Sequence, residues 1–235
     1  MPISIRQATQ EDVDAYIELQ NERWSDDNQA SKEQLLSRLN TYPQGMMVAE
    51  EQGQIVGMVY AMKITSYDES KAPSWYEITH NGMCDNHDPK GNIIFGVDLS
   101  TKPGVGARAG DQLLIGIARL AIKENIAVCM LGGRMPGYAE YADRMTAEEY
   151  LWAKNSDGEF LDRQVRFYAG VPGLRVVKTL PEYFNDPPSK NYGVLLRWRN
   201  PFFGLPLPWF WSAFFPVLFK MEELYITIYK KINRR

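Results

Sequence analysis

The stretch from Ile93 to Leu131 constrains this chain more than any other. Ile93–Leu99 is an apolar run short enough to be a buried strand. A loop containing Gly104 follows, and then a helical pattern over about residues 107–125 with Leu113, Leu114, Ile117, Ala118 and Ala121 on one face. Ala127–Leu131 is a second short apolar run. Two buried strands joined by a long helix pair in parallel, because the crossover helix packs back on their sheet. The chain therefore reads as mixed α/β, an α+β arrangement whose sheet combines parallel and antiparallel pairs.

The flanking segments fit that class. Ile3–Ala8 alternates as a half-buried strand, and Thr9 with Asp12 opens a helix whose apolar positions Val13, Ile17 and Trp24 follow at helical spacing. Ser31 caps a second helix through Leu39, which Pro43 and Gly45 stop. Met46–Glu50 and Gln54–Ile64, joined through Gln52-Gly53, form a hairpin. Residues 65–92 and 132–158 read as largely irregular, although Thr146 with Glu149 has the spacing of a capping box before a short helix. Asp162 starts a helix carrying Phe167 and Tyr168, and Leu174–Leu180 and Tyr192–Trp198 are the last strands.

Composition narrows the function. The net charge of -3 offers no basic field for a polyanion, so nucleic acid is not an expected partner. Cys84 and Cys129 stand far apart, and only two histidines occur, so neither a zinc site nor a disulfide framework is expected. The start, Met1-Pro2 and then a strand pattern, does not look like an export signal, and a cytoplasmic setting is expected.

The loop Ser100–Gly110 carries the chemistry. A strand running through a glycine-bearing loop into a helix presents free backbone N–H groups and the positive end of the helix dipole. Together these make a site for phosphate or pyrophosphate, with Arg108 placed to add a charged hydrogen bond. A tight turn without a ligand explains the same residues. The first strand–helix unit lacks the dinucleotide glycines, which makes a Rossmann reading the weaker one, and no Gly-Lys-Ser/Thr follows the loop, so a Walker loop is absent.

Strand, loop and helix resemble motif A of the GNAT (Gcn5-related N-acetyltransferase) superfamily, with Leu113-Leu114 on its paired leucines and Gly106 and Gly110 on its glycines. Val105 stands where the family carries Arg or Gln, and Arg108 stands on a glycine position. A second stretch, Gly132-Gly133-Arg134-Met135-Pro136-Gly137-Tyr138, then Tyr141-Ala142-Asp143 and Thr146–Tyr150, resembles the acetyltransferase half of bacterial GNAT–nitrilase fusion proteins. Trp75, Glu77, Gly82 and His87-Asp88-Pro89 are similar to an insertion of that group. The resemblance spans about residues 3–200 and does not include a hydrolase.

The resemblance implies an acyl-CoA-dependent N-acyltransferase with acetyl-CoA or another acyl-CoA as co-substrate, no metal, and a small-molecule amine or a protein lysine or N-terminus as acceptor. It places the backbone of Val97 and Leu99 along the pantetheine arm. Val105, Gly106, Ala107, Arg108, Ala109 and Gly110 fall at the pyrophosphate. Phe167-Tyr168 followed by Gly173 resembles the stretch from which the family takes its acid, which points to Tyr168. Two carboxylates, Glu77 and Asp98, compete as base, and each is equally suited to capping a turn or pairing with a cation. Arg134, Tyr138 and Tyr141 follow the end of a parallel strand, where they either shape an acceptor pocket or pin a long loop.

From Pro201 to Phe219 no residue is charged. Burying one large apolar side chain is worth roughly 1.5–3 kcal/mol, so leaving this set in water costs on the order of 10 kcal/mol. The division expected is a catalytic domain over 1–200 and an aromatic extension over 201–235. Three fates are open for the extension: packing on its own domain, forming a homodimer, or resting on the inner face of a membrane. Lys230, Lys231, Arg234 and Arg235 would add attraction to anionic lipid.

Overall fold

The computed structural model describes residues 3–22 and 28–221, apart from the side chains of 106–108. Trp24 and the four basic residues near the C-terminus lie outside the described residues, as does the Arg108 side chain.

Seven strands form one sheet: β1 (Ser4–Gln7), β2 (Met46–Glu51), β3 (Gln54–Ile64), β4 (Ile93–Thr101), β5 (Val128–Arg134), β6 (Arg175–Leu180) and β7 (Gly193–Arg199). Their order is β1-β2-β3-β4-β5-β7-β6. Among the described residues only β4 and β5 pair in parallel. The class expected from the strand–helix–strand unit is therefore the observed one.

The helices are α1 (Val13–Asn21), α2 (Lys32–Thr41), α3 (Trp75–Thr79), α4 (Gly106–Lys123), α5 (Ala147–Trp152), α6 (Arg163–Ala169) and α7 (Pro208–Lys220). Their starts follow capping chemistry. Ser31 Oγ accepts the Gln34 N–H while Gln34 Oε1 accepts the Ser31 N–H. Thr146 and Glu149 do the same for α5, and Asp162 accepts the N–H groups of Gln164 and Val165 to start α6.

Each sheet face has its own core. One gathers Tyr16, Leu19 and Leu35 from α1 and α2 with Met58, Phe95 and Val97. The other gathers Leu113, Ile117 and Ala121 of α4 with Val165, Leu196, Trp198, Phe215 and Leu218.

Helix α7 forms in spite of two prolines. Pro208 takes its first turn, where a missing N–H is harmless, and Pro216 lies inside it. The helix lies along α4, burying Phe215 and Leu218, while Phe202 is buried just before it. Its outer face is open, with Trp209 63% and Val217 50% exposed beside Leu207, Phe210 and Phe214. The described part of the tail thus packs on its own domain through one side of α7. Among the described residues, no helix is long and apolar enough to cross a membrane.

Candidate active site

The parallel pair β4–β5 holds together only from Ile93↔Val128 to Gly96↔Leu131. Beyond it the strands part. β4 continues to Thr101 against β3, and β5 continues to Arg134 against β7. A bulge marks the parting: Tyr60 faces Asp98 and Ala61 faces Gly96, so Val97 has no partner on β3. The gap is the centre of a cleft of about 1090 Å³. Its lining comes from α4 and α6 on one face of the sheet and from α2 and α3 on the other, so the cleft is a slot through the sheet.

Helix α4 starts at the rim of this slot. Gly104, at φ +83, makes the turn a side chain would strain, and the first intrahelical bond runs from Ala109 N–H to Val105 O at 3.1 Å. The amides before it stand outside the ladder of the helix. Gly110 lines the slot because Phe167 occupies the space a side chain would need; a Cβ there would sit 2.9 Å from the Phe167 Cζ. Asp111, one residue on, also lines the slot, and burial raises its carboxyl above the usual range.

Tyr168 is buried and lines the slot from α6. Its ring lies over Gly133, where a Cβ would come 2.8 Å from Cε2. Burial raises its hydroxyl above the ordinary tyrosine range, so it carries its proton at neutral pH.

Asp98 lines the slot from the bulge, its side chain 13% exposed. The Tyr16 hydroxyl donates to Asp98 Oδ2, Ser100 Oγ donates to Oδ1 at 3.2 Å, and Arg38 Nη1 lies 3.6 Å from Oδ2. Arg38 is buried, anchored by its Nε–H to the Gly82 carbonyl at 2.8 Å. Of the two carboxylates expected to compete as base, Asp98 is the one in the slot. Glu77 is not in its lining. Its Oε2 accepts the Ser74 N–H at 2.7 Å and the Ser74 hydroxyl at 2.8 Å, closing a capping box at α3, and these bonds lower its pKa.

The expected acceptor residues separate in the same way. Arg134 lines the slot, but its guanidinium is held by Asp186 through a forked pair, Nε to Oδ2 at 2.9 Å and Nη2 to Oδ1 at 2.5 Å. Tyr138 and Tyr141 are outside the lining. Both pack on Tyr150, and the Tyr138 hydroxyl donates to the Met145 carbonyl. These contacts hold the two tyrosines against the loop that carries them.

Trp75, Tyr76 and Phe184 are among the slot residues not singled out from sequence as site residues. Trp75 Nε1–H donates to the Val97 carbonyl at 2.9 Å, and Tyr76 and Phe184 lie beside it. Trp75 belonged to the quoted resemblance, but nothing in the spacing links position 184 to position 75. Among the described residues no group of acidic, histidine and cysteine side chains is arranged to hold a metal ion.

No family model matches the chain. It is 30% identical over 212 residues to YkwB of Bacillus subtilis (strain 168), described as an uncharacterized N-acetyltransferase, covering 86% of this chain and 90% of that one. It is 29% identical over 198 residues to the probable hydrolase YhcX of the same organism, of which it spans 38%. Among solved structures, the GphF GNAT-like decarboxylase in complex with isobutyryl-CoA superposes at TM-score 0.68 with 26% identity, covering 84% of this chain and 99% of that one. With the splayed parallel pair, the bulge and the glycine-bearing turn into α4, these matches lead to one conclusion: the chain belongs to the GNAT N-acetyltransferase family.

Proposed function

We propose that this chain transfers an acyl group from acyl-CoA to a primary amine by direct attack. The observation that carries the reading is the slot itself, in which a carboxylate and a protonated phenol reach one gap between parallel strands. CoA is the co-substrate. Its pyrophosphate rests on the turn Val105–Gly110, with Arg108 adding charge, and its pantetheine arm runs along the backbone of Val97 and Leu99. An ammonium group loses a proton to Asp98, directly or through water. The free amine then attacks the thioester carbonyl, a C–N bond forms and the C–S bond breaks. Tyr168 protonates the departing thiolate and regains a proton from the acylated nitrogen, so the products are amide and CoA thiol. Glu77 takes no part, because its carboxylate is committed to α3. Arg134, tied to Asp186, shapes the wall of the acceptor side.

The test is a thermal-shift series with acetyl-CoA, longer acyl-CoAs and CoA, followed by thiol release with an amine panel. A ligand at 100 times its Kd adds about 2.7 kcal/mol of stability. For a chain of this size that shifts Tm by roughly 5–11 °C. Arg108→Glu should reduce the shift, and a variant that binds as the wild type does would remove the phosphate assignment. A second reading, binding of acyl-CoA without turnover, is favoured by Val105 in the place of the family's Arg or Gln. Stabilisation by CoA with no thiol release for any amine would select it.

The exposed aromatic face of α7 supports a further part of the reading, peripheral contact with an anionic membrane from the cytoplasmic side. Trp and Phe favour the lipid–water interface, and the sequence beyond the helix carries Lys230, Lys231, Arg234 and Arg235. Binding to phosphatidylserine vesicles should be lost in a Trp209→Ser, Phe210→Ser, Phe214→Ser variant. Concentration-dependent dimerisation without vesicle binding would assign the face to a second copy instead.

A further inference from the structure

The two faces of the slot differ in chemistry. On the α4 side stand the helix turn and Tyr168. On the α3 side stand three rings: Trp75 meets Tyr76 edge-on at 5.4 Å and Phe184 edge-on at 5.3 Å, and Tyr76 stacks on Phe184 at 5.7 Å. They are more than a packing cluster. All three line the slot, Tyr76 is 36% exposed, and Trp75 is fixed at the bulge by its bond to Val97, next to Asp98 in the chain.

This wall is assembled from separate parts of the chain. The Trp75 N–H donates to the Tyr183 carbonyl at 2.8 Å, and the Asn185 N–H donates to the Tyr76 hydroxyl at 3.3 Å. Asn28 Nδ2 donates to the Asn185 carbonyl at 2.9 Å, tying the segment before α2 to the segment before β7. Asn28 Oδ1 is buried without a hydrogen-bond partner in a residue that lines the same slot. A buried carbonyl of this kind is costly unless a ligand or water completes it.

We infer that the α3 side of the slot is an acceptor pocket for amines with an aromatic or other flat apolar body, held by Trp75, Tyr76 and Phe184 with the ammonium directed at Asp98. The inference deepens the acyl-transfer reading and rests on it for the identity of the acceptor. Rings with edge and face contacts open to the slot accept a fourth ring in the same manner, and apolar burial supplies the affinity. The nearby carboxylate supplies the position of the nitrogen.

The experiment is calorimetric titration of the full chain, saturated with CoA, with phenethylamine and with propylamine. Phenethylamine should bind about tenfold or more tightly than propylamine, the expectation for burying one added ring. Tyr76→Ala and Phe184→Ala should remove most of that preference, weakening phenethylamine several-fold more than propylamine, with Tm measured to verify folding. Tyr76→Phe should keep the preference. Equal affinity for the two amines in the wild type, or variants that weaken both alike, would overturn the pocket. Failure of the acyl-transfer reading is separately visible: the binding preference would persist while acetyl-CoA and phenethylamine released no thiol.

Discussion

Arg119 donates its Nε–H to the Ser212 carbonyl at 3.1 Å, and Ser212 is the residue whose carbonyl Pro216 cannot serve. In a regular helix the N–H of residue 216 would bond to residue 212; proline has no N–H to give. The side chain from α4 fills that place, and Ser212 Oγ returns a bond to the Arg119 carbonyl at 2.9 Å. Arg119→Ala should therefore destabilise the fold by about 1–3 kcal/mol, the cost of an unsatisfied buried carbonyl. In a Pro216→Ala background, which restores the helical donor, the same change should cost less. Denaturant unfolding of the four proteins measures the coupling, and additive effects would refute the substitution of one donor for the other.

Tyr168→Phe should lower kcat by about 10²–10⁴, the usual contribution of a general acid, with acetyl-CoA affinity retained. The raised hydroxyl pKa also sets a sign for stability. The folded chain holds this proton more tightly than the unfolded chain, so the stabilisation is complete below about pH 10 and is lost as pH rises above it. Thermal melts between pH 9 and 11 should show a shallower decline in Tyr168→Phe than in the wild type. A kcat unchanged by the substitution would remove Tyr168 from the mechanism.

How much of this could be read from the residues depended on the range of the signal. The crossover unit β4–α4–β5 was legible because its periodicity and its loop lie within forty residues. Caps such as Ser31–Gln34 and Thr146–Glu149 were legible for the same reason. The short helix α3 was not foreseen, although Ser74 and Glu77 have capping-box spacing, because five residues carry too little periodicity. The surroundings of Asp98 and Glu77 were hidden altogether. Tyr16 and Arg38 come to Asp98 from 82 and 60 residues away in sequence, while Glu77 is satisfied three residues from home. The helix in the tail was obscured by its prolines, since its carbonyl is rescued by a side chain from another element.

Gly133→Ala should impair activity more than its size suggests. Its Cβ would approach Tyr168 Cε2 at 2.8 Å and Leu196 Cδ1 at 3.0 Å, and Tyr168 has to shift to admit it. Overpacking of this kind costs about 1–3 kcal/mol. The expected result is a lowered Tm with a fall in kcat, and a second change, Leu196→Val, should recover part of the Tm and little of the kcat. Wild-type kcat in Gly133→Ala would show that the Tyr168 ring has no fixed place in the reaction.

His87 makes the fold sensitive to mild acid. Burial, and then the Lys63 ammonium, lower its pKa, with Glu124 and Asp88 opposing; its Nδ1 accepts the Lys63 N–H at 3.0 Å while its ring stacks on Tyr42. A lowered pKa means that the stabilisation is present above the unfolded value near ~6.5 and is lost as pH falls through the folded one. His87→Phe, which keeps the stacking, should lose less Tm between pH 7 and pH 5 than the wild type does. Parallel Tm curves for the two proteins would assign the acid sensitivity elsewhere.

A slot that passes through a sheet has two mouths, and on the proposed reaction that governs traffic. Donor and acceptor that arrive from opposite faces do not obstruct one another, so both can be held at once. Initial-rate plots then intersect instead of running parallel. On the proposed reaction the amide, made at the α3 mouth, can depart while CoA is still seated along β4.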